Sequence, residues 1–158
     1  MKNNVQKQVK VFLGGTCTDL EWRTEFIKKL EIPYFNPKSE EWTEADKIEE
    51  ERQKNDICNV LLYVINVEMH GLYSIAEAVQ SSNMDDVLTI LHVLPQGFDE
   101  HQINSLNSVC DIIKKNGSEA YIDESLQTTL DLINKRYGKQ NIDNIQRDRI
   151  SQLAKNIK

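Results

Sequence analysis

The segment Gly71-Leu-Tyr-Ser-Ile-Ala-Glu-Ala78 carries two residues that can do chemistry, Ser74 and Glu77, three positions apart. That spacing fits a capping box, in which serine and glutamate satisfy free amides of a helix's first turn. A carboxylate there also feels the positive end of the helix and stays ionised. In a partly dry pocket it can attack an electrophilic carbon, such as the anomeric carbon of a sugar. Glycosidic-bond chemistry commonly uses two carboxylates, one attacking and one handling the proton. Others are at hand: Glu50, Glu51 and Asp56 precede the apolar run upstream, and Glu68 follows it. Glu77 therefore has two readings, cap or nucleophile. Gly14-Gly15-Thr16 is a second candidate. Two glycines and a hydroxyl between a strand and a helix can bring backbone amides close to a phosphate or ribose, or can simply serve a tight turn.

These residues need elements to hold them. Val9-Lys-Val-Phe-Leu13 reads as a buried strand ending at the glycine pair. Thr18 and Glu21 form a capping-box pattern, and Leu20, Phe26, Ile27 and Leu30 stripe a helix over about 19–30. Ile32–Phe35 is a short strand stopped by Asn36-Pro37. Thr43 caps an acidic helix running to about Lys54. Val60–Ile65 is short, apolar and β-branched, as a strand buried on both faces must be. Further strands are expected over 86–94 and 120–122. A helix over about 99–116 should end at Gly117, another should carry Leu126, Leu130 and Ile133, and a last one should span about 141–156. Strands alternating with helices predict a three-layer α/β sandwich around a mostly parallel five-stranded sheet, Rossmann-like or flavodoxin-like. Such sheets take ligands beyond the carboxyl ends of their strands, where strand order reverses. Gly14–Thr16 and residues 66–77 both belong there.

The chain's 158 residues suit one domain, assigned to 1–140, with a basic helical tail at 141–158. Residues 135–158 hold seven Lys/Arg against two Asp, in a chain of net charge -6. The tail can be a solvated helix, or can pack on an acidic neighbour or a polyanion. The overall acidity argues against nonspecific nucleic-acid binding. No apolar run is long enough to span a membrane. The polar N-terminus lacks a signal-peptide core, so a cytoplasmic protein is expected. Cys17, Cys58 and Cys110 are scattered and read as reduced, buried thiols. His70, His92 and His101 lack ligand spacing, so no metal or cofactor is expected. Trp22 and Trp42 read as packing residues before base-stacking ones.

The ordered set "VFLGGTCTDLEWR" (11–23), "YFNP" (34–37), "EW" (41–42), "EEE" (49–51), "LLYVI" (61–65) and "GLYSIAEAV" (71–79) resembles the nucleoside 2-deoxyribosyltransferase-like family, in a branch often found in phages and bacteria. The resemblance covers about residues 9–95. It implies a flavodoxin-like sheet and a homo-oligomer with active sites near subunit contacts. It implies cleavage or exchange of the N-glycosidic bond of a 2-deoxynucleoside or its 5′-monophosphate. Glu77 fills the place of the family's nucleophile, and Glu51 that of the carboxylate that holds and protonates the base. Gly14, Gly15 and Thr16 match the loop that touches the sugar or its 5′-phosphate. Ser74 can serve the 5′ end of the sugar, Asn36 can face the pocket, and Tyr73 can orient the nucleophile or pack at the helix start. The competing reading is a nonenzymatic module that binds or sequesters a nucleotide on the same fold. A phosphoribohydrolase is a more distant third.

Overall fold

The computed structural model describes residues 7–16, 22–37, 41–69 and 72–155. Its strands are β1 (Gln8–Gly15), β2 (Tyr34–Phe35), β3 (Cys58–Ile65), β4 (Leu88–Val93) and β5 (Glu119–Ile122). Its helices are α1 (Trp22–Lys29), α2 (Glu44–Arg52), α3 (Tyr73–Ser81), α4 (Glu100–Lys115), α5 (Gln127–Tyr137) and α6 (Lys139–Lys155). A five-residue π-helical stretch, Gln53–Ile57, joins α2 to β3. The strands form one sheet in the order β2-β1-β3-β4-β5, and every pairing is parallel. The expected Rossmann-like sandwich is thus present, and the sheet is wholly parallel rather than mostly so. None of the described helices is long and apolar enough to cross a membrane.

The period-2 alternation of strands divides the core. Val11, Leu13, Val60, Leu62, Val64 and Ile90 pack with Trp22 and Phe26 of α1 and Leu130 and Ile133 of α5. Phe12, Leu61, Tyr63, Ile65, Leu91 and Val93 pack on the other face with Ala78 of α3 and Leu106, Cys110 and Ile113 of α4. Because both faces are covered, β3 shows an unbroken apolar run instead of alternation. Cys58 and Cys110 are free, buried thiols, and burial pushes both above the ordinary thiol value. Cys17 lies outside the described residues, as do Thr18 and Glu21 of the expected capping box.

Local chemistry sets the helix ends. Thr43 caps α2 as expected, and Asp46 returns the bond to its backbone amide. Asp99 and Gln102 do the same for α4, which ends before Gly117 at φ +84°. α3 departs from its capping-box pattern. It starts at Tyr73, its N-cap is Leu72, and no side chain caps it. Ser74 is already inside the first turn, so the Ser74–Glu77 spacing closes no box. α6 begins at Lys139, two residues before the expected tail helix, and packs against α5. Its Ile150 and Leu153 are exposed.

Candidate functional site

Strand order reverses between β1 and β3, so their carboxyl ends form the switch point. The β1 end is held tightly there. The Thr16 amide donates to the Val64 carbonyl at 2.8 Å, and the Asn66 amide donates to Thr16 Oγ1 at 3.3 Å. Gly15 has φ +104°, and a Cβ on it would collide with the Val64 backbone. A Cβ on Gly14 would lie 2.7 Å from the Phe12 ring and 2.9 Å from the Tyr63 ring. Gly15 is thus required by close approach of strand to strand, and Gly14 by the two aromatic rings packed over it. From the opposite face, the buried Arg23 of α1 donates to the carbonyls of Leu13 (3.1 Å) and Thr16 (3.0 Å). Its guanidinium also stacks over Trp22, 4.5 Å from the ring centroid. Nothing in the helical pattern of "EWRTEF" marks Arg23 as interior. Only the packed fold brings two backbone carbonyls within reach of its fork.

Two clefts open beside this turn and share Glu77 and Tyr73. The first, of ≈ 210 Å³, is lined by Gly14, Gly15, Pro37, Trp42, Glu50 and Ser74 in addition to those two. The second, of ≈ 120 Å³, has Glu51, Lys54, Tyr63, Gln80 and Ser81 among its walls. Larger hollows lie elsewhere: one at the amino ends of β3 and β4, one between α1 and α5. Neither contains the switch-point carboxylates.

Glu77 is only 9 % exposed. Its Oε1 accepts a short hydrogen bond from Lys54 Nζ, and among the described residues nothing hydrogen-bonds Oε2. Lys54 Nζ also donates to Glu51 Oε1 at 2.9 Å and lies 5.9 Å from the Tyr73 ring centroid. The π-helical stretch accounts for this arrangement. α2 buries none of its residues, whereas the wider turn that follows buries Gln53 and Lys54. π-bulges of this kind alter which residues face inward and are frequent at functional sites. Sequence periodicity assumes 3.6 residues per turn, so it could not bring Lys54 inside.

The electrostatics separate the carboxylates. Burial pushes the Glu50 carboxyl above the usual carboxylate range. Lys54 opposes this, while the charges of Glu77 and Glu51 add to it. The hydrogen bond from Lys54 holds Glu51 below that range. Burial disfavours the Lys54 ammonium, but hydrogen bonds to Glu77 and Glu51 outweigh this and keep it protonated. Tyr63 lies beneath, fully buried, with no hydrogen bond of ordinary geometry to its hydroxyl. Burial raises its ionisation far above the usual phenol value, and Glu77 adds to the rise.

Of the residues singled out from sequence, Gly14, Gly15, Tyr73, Ser74 and Glu77 meet around one cleft. Glu51 faces the neighbouring one, and Glu50 takes the place beside Gly14. Thr16 is buried, its oxygens engaged with Asn66 and Arg23. Asn36 does not line the cleft; Pro37 does. Trp22 packs in the core as expected, but Trp42 is 54 % exposed and forms cleft wall instead. Among the described residues no group of His, Cys, Asp and Glu could hold a metal.

A parallel α/β sheet with a buried, ion-paired carboxylate at its switch point is an arrangement of the doubly wound class, whose ligands bind at this edge. The family follows from the chain itself. The model of the family described as nucleoside 2-deoxyribosyltransferase like matches residues 8–94, more than half the chain, which belongs to that family. No curated protein matches the chain. The matched span begins with β1 and closes after β4, so it contains both clefts' carboxylates and the glycine pair.

Proposed function

We propose that the chain cleaves or exchanges the N-glycosidic bond of 2-deoxynucleosides or their 5′-monophosphates, with Glu77 as nucleophile. Attack of Oε2 on C1′ breaks the C1′–N bond and leaves a deoxyribosyl ester on Glu77. The base leaves with its electron pair and takes a proton. Water or a second base then takes the sugar and restores the carboxylate. The observation that carries this reading is the position of Glu77. It is buried at the switch point beside Gly14 and Gly15, with Oε1 engaged by Lys54 and Oε2 hydrogen-bonded by none of the described residues. A ribose 2′-hydroxyl next to that oxygen would be crowded, which favours 2-deoxy sugars.

Glu50 supports the proton-handling role better than Glu51. It lines the same cleft as Glu77, and its raised pKa favours a carboxyl that still holds a proton. Trp42 offers an exposed aromatic face for the base, and Ser74 a hydroxyl for the sugar. Thr16 and Asn36 are left with supporting roles. A homo-oligomer of the chain, as the family leads one to expect, is measured by light scattering on the same preparation.

The test is a panel of deoxynucleosides and their 5′-monophosphates, with and without an acceptor base, for wild type and Glu77→Ala. Base release or exchange should appear with wild type and vanish in the variant. Activity that persists without Glu77 overturns the assignment. An intact ligand recovered with a raised melting temperature would replace it with a binding module.

A further inference from the structure

We propose that Lys54 is a catalytic counter-ion, which holds Glu77 through Oε1 and eases departure of that carboxylate when the sugar ester breaks down. The inference rests on the reaction proposed above and deepens it. Three features lead to it. The ammonium contacts Oε1 of Glu77, and none of the described residues hydrogen-bonds Oε2. It is buried, its side chain 8 % exposed, so its charge is little screened by water. Glu51 supplies a second carboxylate at 2.9 Å on the side away from the Gly14 cleft.

The charges can be followed through the two steps. When Oε2 bonds to C1′, Glu77 loses its negative charge and Oε1 becomes an ester carbonyl. Lys54 remains hydrogen-bonded to it. Without Glu51, esterification would leave a buried ammonium hydrogen-bonded to no ionised carboxylate, which is costly. With Glu51 in place, the ammonium keeps an ionised partner throughout. In the second step the acceptor attacks C1′ and the C1′–Oε2 bond breaks, with its electron pair returning to Glu77. Negative charge then develops on the carboxylate beside a fixed cation. Interactions that strengthen as charge develops accelerate a step. In the first step the same cation faces charge that is being lost. Lys54 therefore favours breakdown of the ester over its formation.

This geometry gives Glu51 a role distinct from base protonation. Its oxygens serve Lys54 and Asn55. It is the partner that allows the ammonium to stay while Glu77 is neutral. Charged groups facing Lys54 come from two elements, Glu50 and Glu51 from α2 and Glu77 from α3, and the uncharged Tyr63 of β3 lines the same cleft.

The experiment compares wild type, Lys54→Met, Lys54→Arg and Glu51→Gln on the best substrate of the panel. Each is followed by rapid-quench base release and by intact-protein mass spectrometry. Lys54→Met keeps the apolar stem but loses the charge. Steady-state turnover should fall about 100-fold, the scale seen when one charge-stabilising donor is removed. A burst of base should appear, and the protein should carry the mass of one deoxyribosyl group. Lys54→Arg should restore most of the turnover and abolish the accumulation. Glu51→Gln, on a half-exposed residue, should slow base release without a burst or any accumulated ester, because Lys54 is still present to speed breakdown. A merely structural lysine would lower activity without a burst. Lys54→Met turning over within about threefold of wild type, or falling with no ester visible, overturns the counter-ion and leaves Glu77's role standing. A wild type inactive on the whole panel overturns both.

Discussion

Tyr63→Phe should make this protein more stable. The Tyr63 ring is fully buried on β3, 6.2 Å from the Phe12 ring, with Gly14 packed against its edge. The ring has no room to move, so phenylalanine would occupy the same slot. The only change is loss of an oxygen that lies beside Ser81 but has no hydrogen bond of ordinary geometry among the described residues. A buried, unsatisfied hydroxyl costs about 1–3 kcal/mol. The oxygen's own dispersion contacts, at about 0.1–0.2 kcal/mol per atom pair, return part of that. The net gain is about 1 kcal/mol, and for a chain of this size that raises Tm by about 2–4 °C. Thermal melts and urea titrations of the two proteins at pH 7, with m compared to exclude a changed unfolded state, measure it. A Tm lowered by about 2 °C or more would refute the reasoning, because it would mean the hydroxyl has a stabilising partner.

Three other outcomes follow from the same geometry. Arg23→Met leaves the Leu13 and Thr16 carbonyls without their donor, so the urea midpoint should drop by an amount equal to about 2–4 kcal/mol. Glu50→Gln should lower base release about 10²-fold and remove the alkaline limb of the kcat/KM profile, with less effect on substrates whose base leaves without a proton. Burial holds His92 below the ordinary histidine value of 6.5, with Thr129 at 2.8 Å and the Asp123 carbonyl at 3.1 Å from its ring nitrogens. Its pKa is lower folded than unfolded, so the unfolded chain takes up the proton first as pH falls. Stability should therefore be complete above about pH 6.5 and decline below it, and His92→Gln should flatten Tm between pH 7.5 and 5.5.

The sequence by itself determined the layered architecture. Apolar runs at 9–13, 60–65 and 86–94, separated by helical stripes, admit few solutions other than a parallel sheet covered on both faces, because a strand without alternation must be buried twice. The glycine pair that closes β1 and the carboxylate at position 77 were legible for a related reason: one ends a strand and the other opens the helix that follows a strand, and a doubly wound sheet puts strand ends at the ligand edge. The tertiary structure alone decided which groups act together. α3 starts at Tyr73 on the uncapped Leu72, so the Ser74–Glu77 spacing, which reads equally well as a cap, leaves Glu77 free to meet Lys54. A π-turn rotates Lys54 inward against the 3.6-residue period, and this turns Glu51 toward the lysine and leaves Glu50 in the cleft. Trp42 is exposed against expectation and Arg23 is buried, because burial is a property of the packed fold rather than of the residue type. Periodicity along a chain records which faces are covered. Which charges end up within hydrogen-bonding reach depends on offsets of one residue per turn, and those are fixed only when distant elements pack.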